Sequence, residues 1–164
     1  YSDYQQVKLD RAFGTVSHQE AYRTRTIQPG EALTRIVIPK LGVDTVVVEG
    51  TSQSALRAGA GHYRQTSLPC ERGNAAIAGH RTTYGKPFAN VHLLAPGDRV
   101  VLITPVGRCT YRVAGTPWIT HPRDFPVLDR LKGSFLTLTT CHPPGSDEQR
   151  LIVRAELVRN TLPA

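Results

Sequence analysis

Short apolar segments rich in β-branched residues recur along this chain, and turn-forming residues interrupt each of them. Among 164 positions there are 39 Val, Ile and Thr residues and 26 Gly and Pro residues. β-branched side chains favour strands, and glycine and proline favour the turns between them. The pattern predicts a mainly β domain whose strands follow one another too closely for repeated helical crossovers.

Seven segments have the composition of strands: 33–38, 45–49, 75–78, 98–104, 109–114, 135–140 and 150–158. Segments 51–58 and 87–94 are typical of one or two short helices, the first capped by Thr51 or Ser52. We therefore expect seven or eight strands in a closed or nearly closed, antiparallel-rich barrel, because closure removes exposed sheet edges.

The polar segment 1–30 is interpreted as an N-terminal arm, and 31–164 as the barrel domain. We expect Tyr4, Val7 and Phe13 of the arm to pack against the barrel. The chain begins with Tyr1, as expected for a trimmed fragment that has lost a signal peptide or anchor. No apolar run approaches the roughly 18 residues that a membrane-spanning helix needs.

The formal net charge of +7 favours an anionic partner such as a cell wall or membrane surface. No recognition motif accompanies the charge, so we expect no nucleic-acid binding. No Cys/His pair has zinc spacing, and the sequence predicts neither a metal site nor a cofactor. The three cysteines are Cys70, Cys109 and Cys141. This odd count allows one disulfide and one free thiol, and leaves the pairing of Cys70 with Cys109 open.

Three chemically capable residues stand at predicted strand ends. Cys141 follows strand 135–140, where a thiol can be half exposed, as a nucleophile requires. If this strand and the next pair as a hairpin, Arg150 lies opposite Cys141 and can hold an oxyanion or a substrate carbonyl. His80 follows strand 75–78 and is a natural proton carrier near neutral pH. Taken singly, each residue also has an ordinary structural explanation.

Together these residues resemble the sortase family. Thr-Leu-Thr-Thr-Cys at 137–141 fits the family's TLxTC signature, and Gly-Asn-Ala-Ala-Ile-Ala-Gly-His-Arg at 73–81 resembles the strand that delivers its histidine. Arg150 follows Cys141 by nine residues, as the family's arginine does, and 36–42 resembles the family's opening strand. The resemblance extends from about residue 33 to residue 158.

The resemblance implies a closed eight-stranded sortase-type β-barrel and an extracellular cysteine transpeptidase. Such an enzyme cleaves a sorting signal such as LPxTG between Thr and Gly and transfers the acyl group to an amine of a peptidoglycan precursor. By motif, Cys141 would be the nucleophile, His80 the general acid, and Arg150 the group that stabilises the oxyanion or positions the peptide. Thr139 and Thr140 would shape the substrate pocket. The protein would act at the outer face of the cell membrane or in the cell wall, held by an anchor outside this sequence.

Two further segments indicate the subclass. Thr-Thr-Cys-His-Pro at 139–143 and Gly-His-Arg-Thr-Thr-Tyr-Gly at 79–85 are most similar to class E sortases of actinobacteria, which are linked to an LAxTG signal, with class D as the competing assignment. Tyr84 would wall the substrate pocket, and the irregular segment 120–133 would cover the signal peptide. The arm at 1–30 is a candidate lid.

Two other functions remain open. In a papain-like cysteine peptidase the cysteine precedes the histidine and opens a helix, whereas here Cys141 comes last and Pro143-Pro144 follow it. A non-catalytic basic barrel that binds an anionic wall polymer would need no free thiol.

Overall fold

The β-branched segments form strands, as the sequence predicts. The computed structural model of the protein describes residues 14–160, which contain nine strands and two α-helices. The strands are β1 Ala32–Ile38, β2 Val43–Glu49, β3 Ala60–His62, β4 Gly73–Gly79, β5 Arg99–Thr104, β6 Gly107–Val113, β7 Trp118–Thr120, β8 Ser134–His142 and β9 Gln149–Asn160. The helices are α1 Val16–Arg23 and α2 Gln53–Leu56, with single 3₁₀ turns at Pro39–Leu41, Val91–Leu93 and Phe125–Leu128.

Eight of these strands close into a barrel. Their order is β6–β5–β1–β2–β3–β4–β8–β9, and β9 pairs back onto β6. The pairs β2–β3 and β4–β8 are parallel, and the other pairs are antiparallel. The expected closed eight-stranded barrel is confirmed. Strand β7 lies outside it, on the first half of β9, while the second half of β9 pairs with β6.

Three apolar clusters hold the described residues together, the smallest of them formed by Val48, Ala55 and Ala58. The barrel interior is filled by fully buried side chains that include Ile36, Phe88 and Tyr111. A separate cluster lies under α1, where Tyr22 packs near Leu68 and donates a hydrogen bond from its hydroxyl to the Pro69 carbonyl. Helix α1 falls within the predicted arm, whereas the expected contacts of Tyr4, Val7 and Phe13 lie outside the described residues.

The structure corrects the prediction of a short α-helix at 87–94. The segment forms turns and the 3₁₀ turn Val91–Leu93 instead. Phe88, Val91 and Leu94 are buried as expected. Their spacing of three residues equals one turn of a 3₁₀-helix, so the apolar pattern fits that shorter element equally well. The predicted helix at 51–58 does form, as α2, and its cap is Ser52, whose hydroxyl accepts the Ala55 N–H.

Strands β3 and β7 were not predicted. Strand β3 is Ala-Gly-His and carries none of the β-branched residues that mark the other strands. Strand β7 stands between Pro117 and Pro122. Its Trp118 lies outside the barrel, 37% exposed, with the Arg154 guanidinium 5.5 Å from its ring centre.

Gly61, in the middle of β3, has no room for a side chain. A Cβ at this position would meet the backbone carbonyl oxygen of Gly50 and lie 3.2 Å from a Leu56 methyl group. We expect Gly61→Ala to lower the free energy of unfolding by about 3 kcal/mol, as overpacking against a fixed backbone does. Urea unfolding followed by circular dichroism measures the change. Gly14→Ala is the control, because nothing lies within 4 Å of its added Cβ; equal stability of the two variants would contradict the steric explanation.

Candidate active site

His80 and Cys141 reach the same end of the barrel because β4 and β8 are adjacent and parallel. The ladder between these strands ends at the pair Ala78–Thr139. His80, directly after β4, and Cys141, on β8, each lie two residues past that pair. Carboxyl ends of parallel strands meet at one edge of a sheet. Both side chains therefore line one open cleft of about 540 Å³, completed by residues 81–83 and 145–148. We call it the His80 cleft.

Arg150 lies directly opposite Cys141. The two residues are register partners in the antiparallel pair β8–β9, so the predicted hairpin geometry is confirmed. The Arg150 Nη1 donates hydrogen bonds to the carbonyl oxygens of Asp147 and Gln149, at 2.8 and 3.0 Å. Its side chain borders a second cavity of about 270 Å³, the Arg150 groove. The groove is lined also by Tyr63, Thr139, Ile152 and parts of 120–128.

Cys141 is the free cysteine, and its side chain is half-buried. Cys70 and Cys109 form a disulfide inside the core, with their Cα atoms 5.7 Å apart. This pairing settles the question that the odd cysteine count left open.

The His80 imidazole is held in place from several sides. Its backbone N–H donates to Gly59 and its carbonyl accepts from Phe88. The Thr83 hydroxyl lies 3.3 Å from Nδ1, and the Tyr84 ring lies 5.0 Å away between ring centres. Burial lowers the pKa of His80 below its ordinary value, and a backbone hydrogen bond to Leu56 partly opposes this. A neutral imidazole is therefore favoured, and it can accept a proton from a neighbouring thiol.

The two threonines before Cys141 have different surroundings. The Thr139 hydroxyl is 2.9 Å from the Tyr63 hydroxyl at the wall of the Arg150 groove. The Thr140 hydroxyl donates to the Gly79 carbonyl at 2.7 Å and so ties β8 to β4 beside the site. Tyr84 packs on His80 and is 41% exposed, and it is not among the residues that line the Arg150 groove. Its part in substrate selection stays a prediction.

Sequence reasoning missed Tyr63 and Arg81. Tyr63 is the residue directly after β3, a strand that was not predicted, so nothing in the sequence placed it beside Thr139. Arg81 directly follows His80, yet its side chain turns inward and is only 6% exposed. It donates to the Cys141 carbonyl and to Nδ1 of both His142 and His92.

No group of three or more His, Cys, Asp or Glu side chains that would hold a metal ion occurs between residues 14 and 160. In the same part of the chain, no helix has the length and apolar character needed to cross a membrane.

Comparison with known proteins identifies the family. Residues 36–158 match the model of the sortase domain. The chain belongs to the sortase family. Sortases are cysteine transpeptidases that act on sorting signals and cell-wall precursors, generally at the cell surface.

Sortases of classes E and D are among the relatives. Sortase SrtE1 of Streptomyces coelicolor is 34% identical over 148 residues, which cover 81% of this chain and 42% of SrtE1. The solved structure of sortase E from Streptomyces avermitilis is 38% identical with a TM-score of 0.75, covering 82% of this chain and 93% of that one. A sortase D5 transpeptidase from Clostridium perfringens is 29% identical with a TM-score of 0.81, over 96% and 98% of the two chains. This sortase chain thus spans less than half the length of SrtE1.

Proposed function

We propose that this sortase cleaves an LAxTG-type sorting signal between Thr and Gly and joins the new carboxyl end to a cell-wall amine. The observation that carries the proposal is a free, half-buried Cys141 thiol that shares a cleft with His80 and lies opposite Arg150. Nucleophile, proton carrier and oxyanion donor are the three groups that acyl transfer by a cysteine requires.

The proposed reaction has two halves. The Cys141 thiolate attacks the Thr carbonyl carbon, the C–N bond to Gly breaks, and protonated His80 supplies the proton that leaves with the Gly amine. The result is a thioester on Cys141. An acceptor amine then attacks the thioester carbonyl, the C–S bond breaks, and His80 takes the amine proton as the thiolate is released.

The Arg150 groove suits an extended peptide on the acyl side of the cleaved bond. It combines apolar side chains such as Ile152 and Val127 with the Tyr63 and Thr139 hydroxyls. Arg150 holds two backbone carbonyl oxygens of its own loop, so its guanidinium is already oriented for carbonyl groups. A substrate carbonyl takes the place of one of these acceptors when the signal binds.

Three observations support an extracellular site of action. The Cys70–Cys109 disulfide is typical of proteins in oxidising compartments. The net charge of +7 favours residence beside an anionic wall or membrane surface. Family members generally work at the cell surface. We propose that 31–164 is the catalytic barrel at the outer membrane face, that 1–30 is its lead-in arm, and that an anchor outside this sequence tethers it.

The experiment that tests the proposal is incubation with LAxTG and LPxTG peptides, with and without an added amine, followed by mass analysis of the products. A sortase yields cleavage after Thr and an amide with the added amine. A cysteine peptidase yields hydrolysis alone, and a non-catalytic barrel that binds wall polymer leaves both peptides intact.

Tyr63 is expected to select Ala over Pro at the second signal position. Its hydroxyl can accept the backbone N–H of Ala in LAxTG, and proline in LPxTG has no N–H to donate. We expect wild type to favour LAxTG in kcat/KM by about tenfold, the effect of roughly one lost hydrogen bond. Tyr63→Phe keeps the ring and should remove most of the preference.

Tyr84→Ala is the companion variant, because we expect the bulky Tyr84 ring, which packs on His80, also to disfavour proline. Since Tyr84 packs on His80 and is not among the residues lining the groove, its substitution should remove less of the preference than Tyr63→Phe. An LAxTG/LPxTG ratio that is the same in all three proteins would place selectivity elsewhere, first in segment 120–133.

A further inference from the structure

Arg81 is a buried cation that contacts the backbone of Cys141. Nη1 donates to the Cys141 carbonyl at 3.0 Å and to His142 Nδ1 at 2.9 Å, and Nη2 donates to His92 Nδ1 at 3.2 Å. Its Nε is buried and has no hydrogen-bond partner within residues 14–160. Burying a charged group without full pairing is costly, so a purely structural role explains this arrangement poorly.

Two side-chain hydrogen bonds extend the contact between β4 and β8 beyond their ladder, and the bond from Arg81 to the Cys141 carbonyl is one of them. The ladder ends at Ala78–Thr139. Past this point the Thr140 hydroxyl donates from β8 to the Gly79 carbonyl, and Arg81 donates from the β4 side to the Cys141 carbonyl. The two bonds run in opposite directions and flank His80 and Cys141. They fix the separation of these two residues at the point where backbone pairing no longer does.

Two imidazoles hold the guanidinium in this position. His142 and His92 each receive an Arg81 N–H at Nδ1, so each carries its own proton at Nε2. A planar guanidinium can reach three acceptors in different directions at once, and a lysine ammonium at the end of a flexible chain cannot match that geometry.

The two arginines of the site are engaged differently. Arg150 donates to carbonyl groups of the β8–β9 loop and borders the groove, where a substrate carbonyl can reach it. Arg81 lies beside Cys141 at the wall of the His80 cleft, and its Nη1 and Nη2 donate to groups of the protein itself. Burial lowers the pKa of Arg81, and the charge interaction with Cys141 opposes that shift.

We propose that Arg81 is a positioning residue that fixes the spacing between His80 and Cys141 through its hydrogen bond to the Cys141 carbonyl. The inference rests on the proposed role of Cys141 as nucleophile. The two arginines then have different roles: Arg81 positions the nucleophile, and Arg150 binds the substrate carbonyl.

Arg81→Met and Arg81→Lys separate charge from position. The first readout is the rate of Cys141 alkylation by iodoacetamide against pH, which follows the thiolate and needs no peptide. Arg81→Met should react about tenfold more slowly at pH 7 and approach wild type at high pH, because a displaced His80 no longer takes the thiol proton. Arg81→Lys keeps the charge but lacks the planar fork, so it should react as slowly as Arg81→Met.

The second readout is peptide cleavage. Both variants should lose about tenfold or more in kcat with little change in KM, because small displacements of reacting groups slow the chemical step. The alkylation profile depends on every titratable and charged group around Cys141. Both variants therefore change Arg81 and leave all the other groups as they are. These groups are His80, His92, His142, Asp147, Glu148 and Arg150.

Arg154→Lys is the matched control. Arg154 is a half-buried arginine that donates to Thr137 on β8 and to the Val127 carbonyl, away from Cys141. Its alkylation profile should equal that of wild type. Circular dichroism checks that each variant folds. If neither Arg81 variant folds, Thr140→Val removes only the opposing bond and should lower both kcat and the alkylation rate at pH 7.

A wild-type alkylation profile together with a wild-type kcat in folded Arg81→Met would overturn the proposal. If the Arg81 variants do not fold, full activity of Thr140→Val would overturn it instead. Failure of wild type to cleave either peptide would instead refute the proposed function, while the alkylation comparison would still measure the effect of Arg81 on the thiol.

Discussion

Cys141→Ala is expected to abolish both peptide cleavage and amide formation while leaving the barrel intact. Cys141 carries the free thiol of this chain, because the other two sulfurs are joined in the core disulfide and cannot substitute for it. Its half-buried position on a strand end means that truncation to Ala removes the nucleophile without opening a cavity in the barrel interior. Loss of a covalent nucleophile removes the thioester route altogether.

Mass analysis of the intact protein gives the most direct measurement. Wild type mixed with the LAxTG peptide should show an adduct equal to the acyl fragment, and Cys141→Ala should show none. Gly14→Ala is a control that should form the adduct normally, since nothing packs within 4 Å of its added methyl group. Substantial cleavage by Cys141→Ala, with circular dichroism unchanged, would contradict the assignment of the nucleophile.

The sequence predicted the parts of the fold that depend on local pattern. Strands such as β5 and β8 were recognisable because β-branched residues fill them and glycine or proline bounds them. Strand β3 could not be recognised from local pattern. The three residues Ala-Gly-His fit there because Gly61 lies close to the Gly50 backbone, where no side chain has room. That contact joins Gly61 to the residue directly after the neighbouring parallel strand β2 and leaves no local signature.

The same distinction applies to the site. The pairing of Cys141 with Arg150 was predictable because only eight residues separate them along the chain, as suits a hairpin. The meeting of His80 and Cys141 depends on the parallel pairing of β4 with β8, which the family resemblance implied and local pattern did not. Arg81 was missed although it is next to His80, since its partners at His92 and His142 become visible only in the fold.

His80→Ala and Arg150→Ala are each expected to lower kcat/KM by about 10²-fold or more. Proton transfer by a positioned side chain is typically worth ~10²–10⁴-fold, and one oxyanion donor ~10²–10³-fold. The two variants should differ in their response to the leaving group. A thioester substrate mimic, whose thiolate leaves without a proton, should recover more of the acylation rate in His80→Ala than in Arg150→Ala.

Arg150→Lys tests whether geometry or charge accounts for the Arg150 contribution. In the structure the Arg150 Nη1 donates to two carbonyl oxygens, those of Asp147 and Gln149, at the border of the groove. An ammonium has the same charge but lacks the planar fork, so it cannot hold a loop carbonyl and a substrate carbonyl in one plane. We therefore expect Arg150→Lys to remain within about tenfold of Arg150→Ala, well below the ~10²-fold recovery that a full oxyanion donor represents. Steady-state kcat/KM for the LAxTG peptide decides the question. A rate near that of wild type would show that Arg150 contributes charge alone, and the geometric role assigned to it here would be wrong.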